Sequence, residues 1–419
     1  MSTLRIALIS VHASPLAAMG GKKTGGMNVY IQQLAREFGR RDLQVDIYTR
    51  RLPSDTAIFD ESLGNGIRVI PITAGGLQPL SPDEIFPHLP EFTSGVIAFA
   101  TRHNMAYDLI YSHYWLSGWV ANRLKAVWGI PFVQMFHTLG HMKNRIATDS
   151  TSSNQRVNVE TQIIQWADRI IAATPAEYTQ LRWLYRASRR KIAIVSPGVD
   201  LNQFYPIPEQ EAKQRLSIPA ETHVLLFVGR IERLKGVDTA IDALALLREH
   251  QPQLYAGMKF IIVGGNPADP QDVELAGLRA RVNALKLVDH VEFAGAREQW
   301  QLPDYYAAAS AVVMPSDYES FGMVALEAMA TGTPVIASEV GGLAFLVREG
   351  ETGFLIPVRD AAALAQRMIT LLRNPQQLAK MRTAATSIAQ QYTWSTIADQ
   401  LLDVFEDLTA NPSFSRHKH

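Results

Sequence analysis

The 419-residue sequence contains no cysteine, which excludes structural disulfides, thiolate catalysis and cysteine metal sites. It has no net charge, because 40 basic residues balance 40 acidic ones, so no overall field attracts nucleic acid or an anionic membrane. It also lacks any apolar run of the roughly 18 residues needed to cross a bilayer, and its strand-like start is too short for a signal peptide. We therefore expect a cytoplasmic protein that binds neither membranes nor nucleic acid.

Short apolar runs alternate with amphipathic stretches along the chain, and 47% of the residues are hydrophobic. This alternation is typical of parallel strands joined by crossover helices, and the length fits two domains better than one. The pattern pauses at the proline-rich segment Phe204–Pro208 and then starts again. We predict an α/β protein with a Rossmann-like domain over residues 1–205, a second over 206–392, and a C-terminal helix in 393–419 that packs back on the first.

The strands are predicted from apolar runs that end in glycine, proline or polar residues. In the first domain they are Ile6–Ile9, Val45–Tyr48, Leu109–Ser112, Phe132–Phe136 and Ile170–Ala173, with helices at Val29–Gly39 and Val159–Ala167. In the second they are Val224–Val228, Phe260–Val263, His290–Phe293, Ala311–Met314 and Val335–Ala337. Because open parallel sheets bind ligands at the carboxyl ends of their strands, this organisation predicts an active site in the cleft between the domains.

A basic loop flanked by glycines follows the first strand of the second domain and runs from Arg230 to Lys235. The predicted helix after it offers free N–H groups and the positive end of its dipole to an anion. The arginine can engage two phosphate oxygens at once. A solvated charged turn is the alternative, but the position directly after a buried strand favours a diphosphate site.

Two glutamates, Glu319 and Glu327, lie eight positions apart across a predicted loop-to-helix transition. Carboxylates accept hydrogen bonds from sugar hydroxyls, so one glutamate suits a hexose and the other a ribose. The residues between them can present backbone N–H groups at the helix start. Glutamates also occur near helix starts for capping alone, so the residue types by themselves leave both interpretations open.

These segments, followed by Gly341-Gly342 and Gly353-Phe354, resemble the donor domain of the retaining nucleotide-sugar glycosyltransferases with the GT-B fold. The resemblance runs from Ile6 to about Leu408 and implies a hexosyltransferase that uses a UDP-sugar. It implies that the catalytic residues are His137, Arg230, Lys235 and Glu319. It implies that the donor-binding residues are Gly25, Gly26, Arg230, Lys235, Arg297, Glu319, Phe321, Gly322, Met323, Val324 and Glu327.

The first domain carries the same resemblance. Ser14-Pro15 and Thr24–Tyr30 are similar to the glycine loop under the donor diphosphate, and His113–Gly118 to the loop that lines the acceptor pocket. Phe136–Lys143 is similar to the segment whose histidine, here His137, contacts the transferred sugar. A lone histidine after a strand is more often structural, but its place in this motif favours the site.

Arg156, ahead of a predicted helix over 157–168, resembles the arginine that binds the acceptor phosphate in family members with phosphorylated acceptors. The resemblance implies that the acceptor-binding residues are Gly26, Tyr114, Thr138, Lys143 and Arg156. Lys22, Lys23 and Arg145 would complete a local basic cluster in an otherwise neutral chain. The alternative is that these are solvent-facing helix charges.

Two branches of the family compete for the acceptor. Ser10–Pro15, Gly25–Tyr30 and Ser112–Gly118 resemble the inositol-phosphate N-acetylglucosaminyltransferases of mycothiol synthesis, but Pro82 stands where those enzymes carry a phosphate-binding lysine. Ser81–Phe92 instead resembles the sucrose-phosphate synthases. We therefore expect glucose transfer from UDP-glucose to fructose 6-phosphate, giving sucrose 6-phosphate in sucrose biosynthesis. Transfer from UDP-N-acetylglucosamine to inositol phosphate is the alternative.

Retention in this family is usually described as a front-face substitution without an enzyme nucleophile. Arg230, Lys235 and the Gly25–Gly26 amides would stabilise the leaving diphosphate. No Asp-x-Asp cluster stands where a metal would bridge the diphosphate, so we predict transfer without metal or cofactor. A non-catalytic binder or a phosphorylase-like protein of the same fold remains an alternative. A nicotinamide-dependent oxidoreductase is disfavoured, because no Gly-x-Gly-x-x-Gly follows the first strand.

Overall fold

The computed structural model describes residues 4–17, 25–55, 57–146, 154–269 and 271–410. Within these ranges, no helix is long and apolar enough to cross a membrane. The described residues form two compact units. The first contains the residues up to Ala17, Gly26–Ser196 and those from Trp394 onward, and the second contains Gly25 and Pro197–Thr393. Lys22 and Lys23 of the predicted basic cluster, and Thr24 of the glycine loop, lie outside the described residues.

The first unit is an α/β structure whose strands are all parallel. Its strands are β1 (Arg5–Ile9), β2 (Gln44–Arg50), β3 (Ile67–Ile72), β4 (Leu109–His113), β5 (Phe132–Met135), β6 (Arg169–Ala172) and β7 (Ile192–Ile194). Its helices are α1 (Gly26–Arg40), α2 (Pro82–Ile85), α3 (Leu89–Arg102), α4 (Tyr114–Trp128), α5 (Gly140–Ile146), α6 (Asn154–Trp166) and α7 (Pro175–Leu184). The strands are hydrogen-bonded in the order β3-β2-β1-β4-β5-β6-β7.

The second unit repeats this construction. Its helices are α8 (Glu209–Arg215), α9 (Val237–His250), α10 (Pro252–Ala256), α11 (Val273–Ala284), α12 (Leu302–Ala308), α13 (Met323–Ala330), α14 (Leu343–Leu346), α15 (Ala361–Leu372) and α16 (Pro375–Ala389). Its strands are β8 (His223–Val228), β9 (Met258–Val263), β10 (Val291–Gly295), β11 (Ala311–Met314), β12 (Val335–Ser338) and β13 (Gly353–Ile356), in the order β10-β9-β8-β11-β12-β13.

In both sheets the chain adds strands first on one side of the starting strand and then on the other. The switch lies between β1 and β4 in the first sheet and between β8 and β11 in the second. Loops at such a switch point diverge and leave a crevice at the carboxyl ends of the strands. The prediction of two parallel-sheet α/β domains is confirmed. Three strands that we did not predict, β3, β7 and β13, are all sheet edges, where a strand needs less continuous apolar sequence.

The predicted C-terminal helix is α17 (Trp394–Thr409), which belongs to the first unit. Its Phe405 is fully buried, with its ring centroid 6.0 Å from that of Phe38 on α1 and 5.3 Å from that of Tyr111 on β4. Arg41 donates hydrogen bonds to Asp399 at 2.7 and 2.9 Å, beside this apolar contact. The helix therefore completes the core of the unit in which the chain begins.

Candidate active site

The loops after β8 and β11 hold the predicted donor residues of the second unit. The β8 loop includes a 3-10 turn, Arg233–Lys235, and the two loops are joined by a hydrogen bond from the Asp317 N–H to the Leu234 carbonyl oxygen, at 2.8 Å. Gly236 ends the turn with φ of 66°, and a Cβ there would lie 2.0 Å from the Pro315 carbonyl oxygen. Only glycine allows the two loops to approach this closely.

The predicted diphosphate cations both have carboxylate partners. Lys235 Nζ donates to Glu319 Oε2 at 2.5 Å, and these side chains are only 21% and 17% exposed. Arg230 lies 2.6 Å from Glu232, and its side chain is half exposed. Gly25 is grouped with this unit, and a Cβ built on it would lie 3.9 Å from Arg230 Nε. The exposed Arg230–Glu232 pair contributes little free energy, so Arg230 can exchange Glu232 for another anionic partner at small cost.

Glu327 lies on α13, whose first turn follows Glu319 by four residues. Its Oε2 accepts a 2.7 Å hydrogen bond from the Tyr306 hydroxyl, and its Oε1 a longer one, 3.5 Å, from Gln299. Burial raises the pKa of Glu327 to about 7. Gly322 precedes the helix with φ of 103°, and no side chain of the described residues caps the helix start. Phe321 is buried, whereas Met323 and Val324 are partly exposed.

Arg297 follows β10, which lies two strands from β8 in the sheet, so it stands at the same carboxyl edge. Its Nε donates to the Tyr305 hydroxyl at 2.9 Å, and its Nη1 donates to the Ala296 carbonyl oxygen at 3.1 Å. The structure therefore places Arg297 on the predicted edge, where it contacts Tyr305 of α12 and Ala296 rather than Lys235 or Glu319.

In the first unit, three predicted acceptor residues meet. Arg156 Nη1 donates to the Tyr114 hydroxyl at 3.0 Å, and its Nη2 donates to the Thr138 carbonyl oxygen at 2.8 Å and to the Thr138 hydroxyl at 3.0 Å. These residues come from the start of α4, the turn after β5 and the first turn of α6. Lys143 and Arg145 are exposed on α5, and Gly26 is the first residue of α1.

Arg156 lies inside α6 rather than ahead of it, which corrects the sequence prediction. Its side chain is 6% exposed, so the alternative that it is a solvent-facing charge is wrong. Its Nε donates to Glu160 Oε1 at 2.7 Å, one helical turn further, and the side chain of Glu160 is wholly buried. Burial opposes the charge of Arg156, but Glu160 and the Tyr114 hydroxyl together keep the pKa of Arg156 above its ordinary value.

Removing this arginine is expected to destabilise the protein. Arg156→Ala leaves the buried Glu160 carboxylate without its ion-pair partner, a change that costs about 3–5 kcal/mol of unfolding free energy. Urea denaturation measures the loss. The double variant Arg156→Ala/Glu160→Gln removes the buried charge and should recover part of the stability. An unchanged urea midpoint in Arg156→Ala would show that the ion pair with Glu160 does not stabilise the fold by this amount.

His137 is held in an uncommon backbone conformation at the end of β5. Its φ is 61°, and the Thr138 N–H donates to the Phe136 carbonyl oxygen at 2.7 Å, which makes a γ-turn with His137 at its centre. A γ-turn of this hand is rare and strained. Burial lowers the pKa of His137 to about 3, although part of the residue is accessible to solvent. At neutral pH the ring is therefore uncharged and offers one donor and one acceptor.

Several residues around the site carried no sequence signal of their role. Glu160 was detectable, because it follows Arg156 by four positions on a helix. Tyr306 and Gln299 were not, because they approach Glu327 from a segment 21 to 28 residues earlier in the chain. Tyr305 lies only eight residues after Arg297, but no helical spacing links the two. In the described ranges, no three His, Asp or Glu side chains are grouped as ligands for a metal ion.

Comparison with known families matches both halves of the chain. Residues 24–203 match the family described as Glycosyltransferase Family 4, and residues 208–388 match the family described as Glycosyl transferases group 1. Curated relatives align over nearly the whole sequence. The D-inositol 3-phosphate glycosyltransferase of Corynebacterium diphtheriae is 40% identical over 413 residues, which cover 97% of this chain and 95% of the relative. That of Kineococcus radiotolerans is 39% identical over 416 residues, which cover 96% and 95%.

Solved structures give a similar result. The sucrose-phosphate synthase of Thermosynechococcus elongatus superposes with a TM-score of 0.88 at 34% identity, covering 97% of this chain and 99% of its own. Anabaena HepE, solved with UDP and glucose, has the same fold with a TM-score of 0.76 at 24% identity, covering 97% and 100%.

Proposed function

Because the chain belongs to the GT-B glycosyltransferases of group 1 and family 4, we propose that it is a retaining hexosyltransferase that uses a UDP-sugar donor and a phosphorylated acceptor. The observation that carries the acceptor class is the contact among Tyr114, Thr138 and Arg156 in the first unit. The two kinds of relative named above share this chemistry. One is named for D-inositol 3-phosphate, and the other for sucrose phosphate.

In this proposal the donor diphosphate binds the β8 loop. Arg230 exchanges Glu232 for phosphate oxygens, and Lys235 supplies a second charge from the 3-10 turn before α9. Glu319 then accepts from hydroxyls of the hexose, and Glu327 accepts from the ribose with the carboxylate that Tyr306 orients. The division of roles follows from exposure, since Glu319 is partly exposed at the loop and Glu327 is buried within α13.

The reaction needs no nucleophile from the protein. The bond between the anomeric carbon and the diphosphate oxygen breaks, and the acceptor hydroxyl oxygen attacks the same face. The proton of that hydroxyl passes to the departing phosphate oxygen. Arg230 and Lys235 stabilise the charge that develops on the diphosphate, which is the electrostatic role that a divalent ion plays elsewhere. We propose that the transfer proceeds without metal and continues in EDTA.

For the acceptor we propose D-inositol 3-phosphate with UDP-N-acetylglucosamine as donor. This reverses our expectation from the sequence, and the support is the 40% identity over 97% of the chain to a relative of that name. The absence of a lysine at Pro82 argues against it. Pro82 is the first residue of α2, where no side-chain donor is available.

Fructose 6-phosphate with UDP-glucose is the second candidate. Its support is the 34% identity to a sucrose-phosphate synthase over 97% of the chain, together with the resemblance of Ser81–Phe92 to that branch. The Phe86 ring of this segment stacks on Trp115 with centroids 5.3 Å apart, directly beside Tyr114. Burial raises the pKa of Tyr114, and the Asp83 carboxylate adds a smaller effect in the same direction. The segment Ser81–Phe92 therefore lies close enough to Tyr114, which we propose to contact the acceptor phosphate, to discriminate between acceptors.

A panel of two donors against two acceptors decides between these candidates. We expect UDP release with UDP-N-acetylglucosamine and D-inositol 3-phosphate, and at least about tenfold less with UDP-glucose and fructose 6-phosphate, as one missing hydrogen bond would cause. Lys235→Ala, which we expect to turn over at least about 100-fold more slowly, is the reference for background hydrolysis. The reverse order of activity would establish the second candidate. No transfer to either acceptor would rule out both candidate functions.

A further inference from the structure

A second histidine, outside the predicted catalytic set, contacts His137. His113 ends β4, the neighbour of β5 in the sheet, and its side chain is fully buried. Its Nδ1 lies 2.9 Å from His137 Nε2, which is hydrogen-bonding distance. Rings on both sides hold this geometry. The ring centroid of Tyr111 lies 4.3 Å from that of His113. The ring centroid of Tyr30 lies 5.6 Å from that of His113 and 5.2 Å from that of His137, and all three contacts are edge to face.

The remaining nitrogen of His113 decides which ring donates. His113 Nε2 is buried and has no hydrogen-bond partner among the described residues. If His137 donated to His113, the proton of His113 would have to sit on Nε2 as a buried, unpaired N–H. If His113 donates, Nε2 is only an unpaired acceptor. Orphaned N–H groups are the rarer of the two in proteins, so His113 Nδ1–H is the donor and His137 Nε2 the acceptor.

Both rings are neutral, because burial lowers the pKa of His113 well below its ordinary value and that of His137 to about 3. A neutral imidazole has one proton, and the hydrogen bond at one nitrogen fixes its place on the other. With its Nε2 accepting, His137 must carry its proton on Nδ1. Within the described part of the chain, the hydrogen bond that Nε2 accepts from His113 is the only one that the His137 ring makes.

We propose that His113 is a positioning residue that locks His137 in the tautomer protonated at Nδ1, so that His137 presents an N–H donor to the transferred sugar. The proposal rests on the proposed function in placing His137 against that sugar. The strained γ-turn supports it, because a non-glycine residue at φ of 61° persists only where its surroundings determine it, and such residues cluster at functional sites.

The test compares two substitutions that differ in one donor. His113→Asn keeps an N–H group on the atom after Cγ, close to the position of Nδ1, whereas His113→Leu has similar size and no donor. With the acceptor that the donor-and-acceptor panel selects, we expect His113→Leu to lower kcat about tenfold or more with little change in the donor KM, as loss of one buried hydrogen bond implies. His113→Asn should stay within about threefold of the unmodified protein.

A spectroscopic readout separates positioning from packing. Nitrogen-15 NMR of histidine-labelled full-length protein reports the tautomer of each ring, and the His137→Gln variant identifies the His137 signals. We expect His137 protonated at Nδ1 in the unmodified protein and in His113→Asn, and a mixture of tautomers in His113→Leu. A proton on Nε2 of His137 in the unmodified protein would overturn the proposal, as would a His113→Leu variant with unchanged tautomer and kcat.

The tautomer of the unmodified protein needs no variant at position 113, so the proposal stays testable if His113→Leu does not fold. It also needs no acceptor. Failure of every donor and acceptor pair would refute the proposed function and leave the tautomer result standing, whereas the wrong tautomer in an active enzyme would refute only the role of His113.

Discussion

Replacing Lys235 with alanine is expected to lower kcat by about 100- to 1,000-fold. One charged contact to a leaving group inside a partly desolvated site contributes this much, because its interaction strengthens as charge moves onto the departing oxygen. The 2.5 Å contact with Glu319 adds to the loss, since Lys235→Ala also removes the partner of that carboxylate, which we propose to contact the hexose. UDP release under saturating substrates measures the effect, and Arg230→Ala should behave in the same way.

Arg233→Ala is the matched control for this prediction. Arg233 belongs to the same 3-10 turn and is exposed, so its removal tests whether any basic residue of the turn would serve. We expect its kcat to remain within about threefold of the unmodified protein, the range of an exposed charge. Near-native turnover in both Lys235→Ala and Arg230→Ala would remove the two residues from the mechanism.

The second large effect concerns the acceptor phosphate. In the proposed function, the acceptor phosphate binds beside Tyr114, Thr138 and Arg156. We therefore expect an acceptor without its phosphate to lose charge-assisted hydrogen bonds there, which amounts to about 3 kcal/mol, or at least about 100-fold in kcat/KM. The comparison uses each acceptor with and without phosphate. Equal kcat/KM values for the two forms would end the claim of a phosphate pocket.

Arg156→Ala cannot test this pocket cleanly, because it also unpairs the buried Glu160. Thr138→Val is the better probe. It removes one hydroxyl that Arg156 Nη2 reaches at 3.0 Å and keeps the shape of the side chain. We expect it to reduce the preference for the phosphorylated acceptor by about fivefold to tenfold, and Thr138→Ser, which keeps the hydroxyl, to preserve most of it. A preference unchanged in Thr138→Val would place the phosphate elsewhere.

The central strands and the loops after β8 and β11 could be predicted because their signals are local. A continuous apolar run marks a buried strand, and charged residues between glycines at its end mark a ligand loop. Three of the four edge strands, β3, β7 and β13, could not be predicted. Strand β7 has only three residues, and all of them are at least partly exposed. Its pairing with β6 comes from the sheet and not from its own composition.

The burial of Arg156 could not be predicted from the sequence. Its basic character and motif grouped it with Tyr114 and Thr138, which it contacts, but its burial depends on Glu160, Tyr114 and Thr138 together. Two of these partners come from distant turns that meet only when β4 and β5 pair. The contact between His113 and His137 has the same origin. Both residues lie in sequence motifs, His113–Gly118 and Phe136–Lys143, yet only the parallel register of two strands brings their rings together.

The C-terminal helix gives the chain an order of assembly. Residues 197–393 of the second unit form an uninterrupted stretch, whereas the first unit needs α17, which is synthesised after the whole of that stretch. Until Phe405 and Trp394 emerge, the apolar faces that they cover on Phe38, Tyr111 and Tyr30 stay open to water. The half of the protein that is synthesised first is thus the half that finishes folding last, and a premature stop near residue 393 exposes a ready surface for chaperones and proteases.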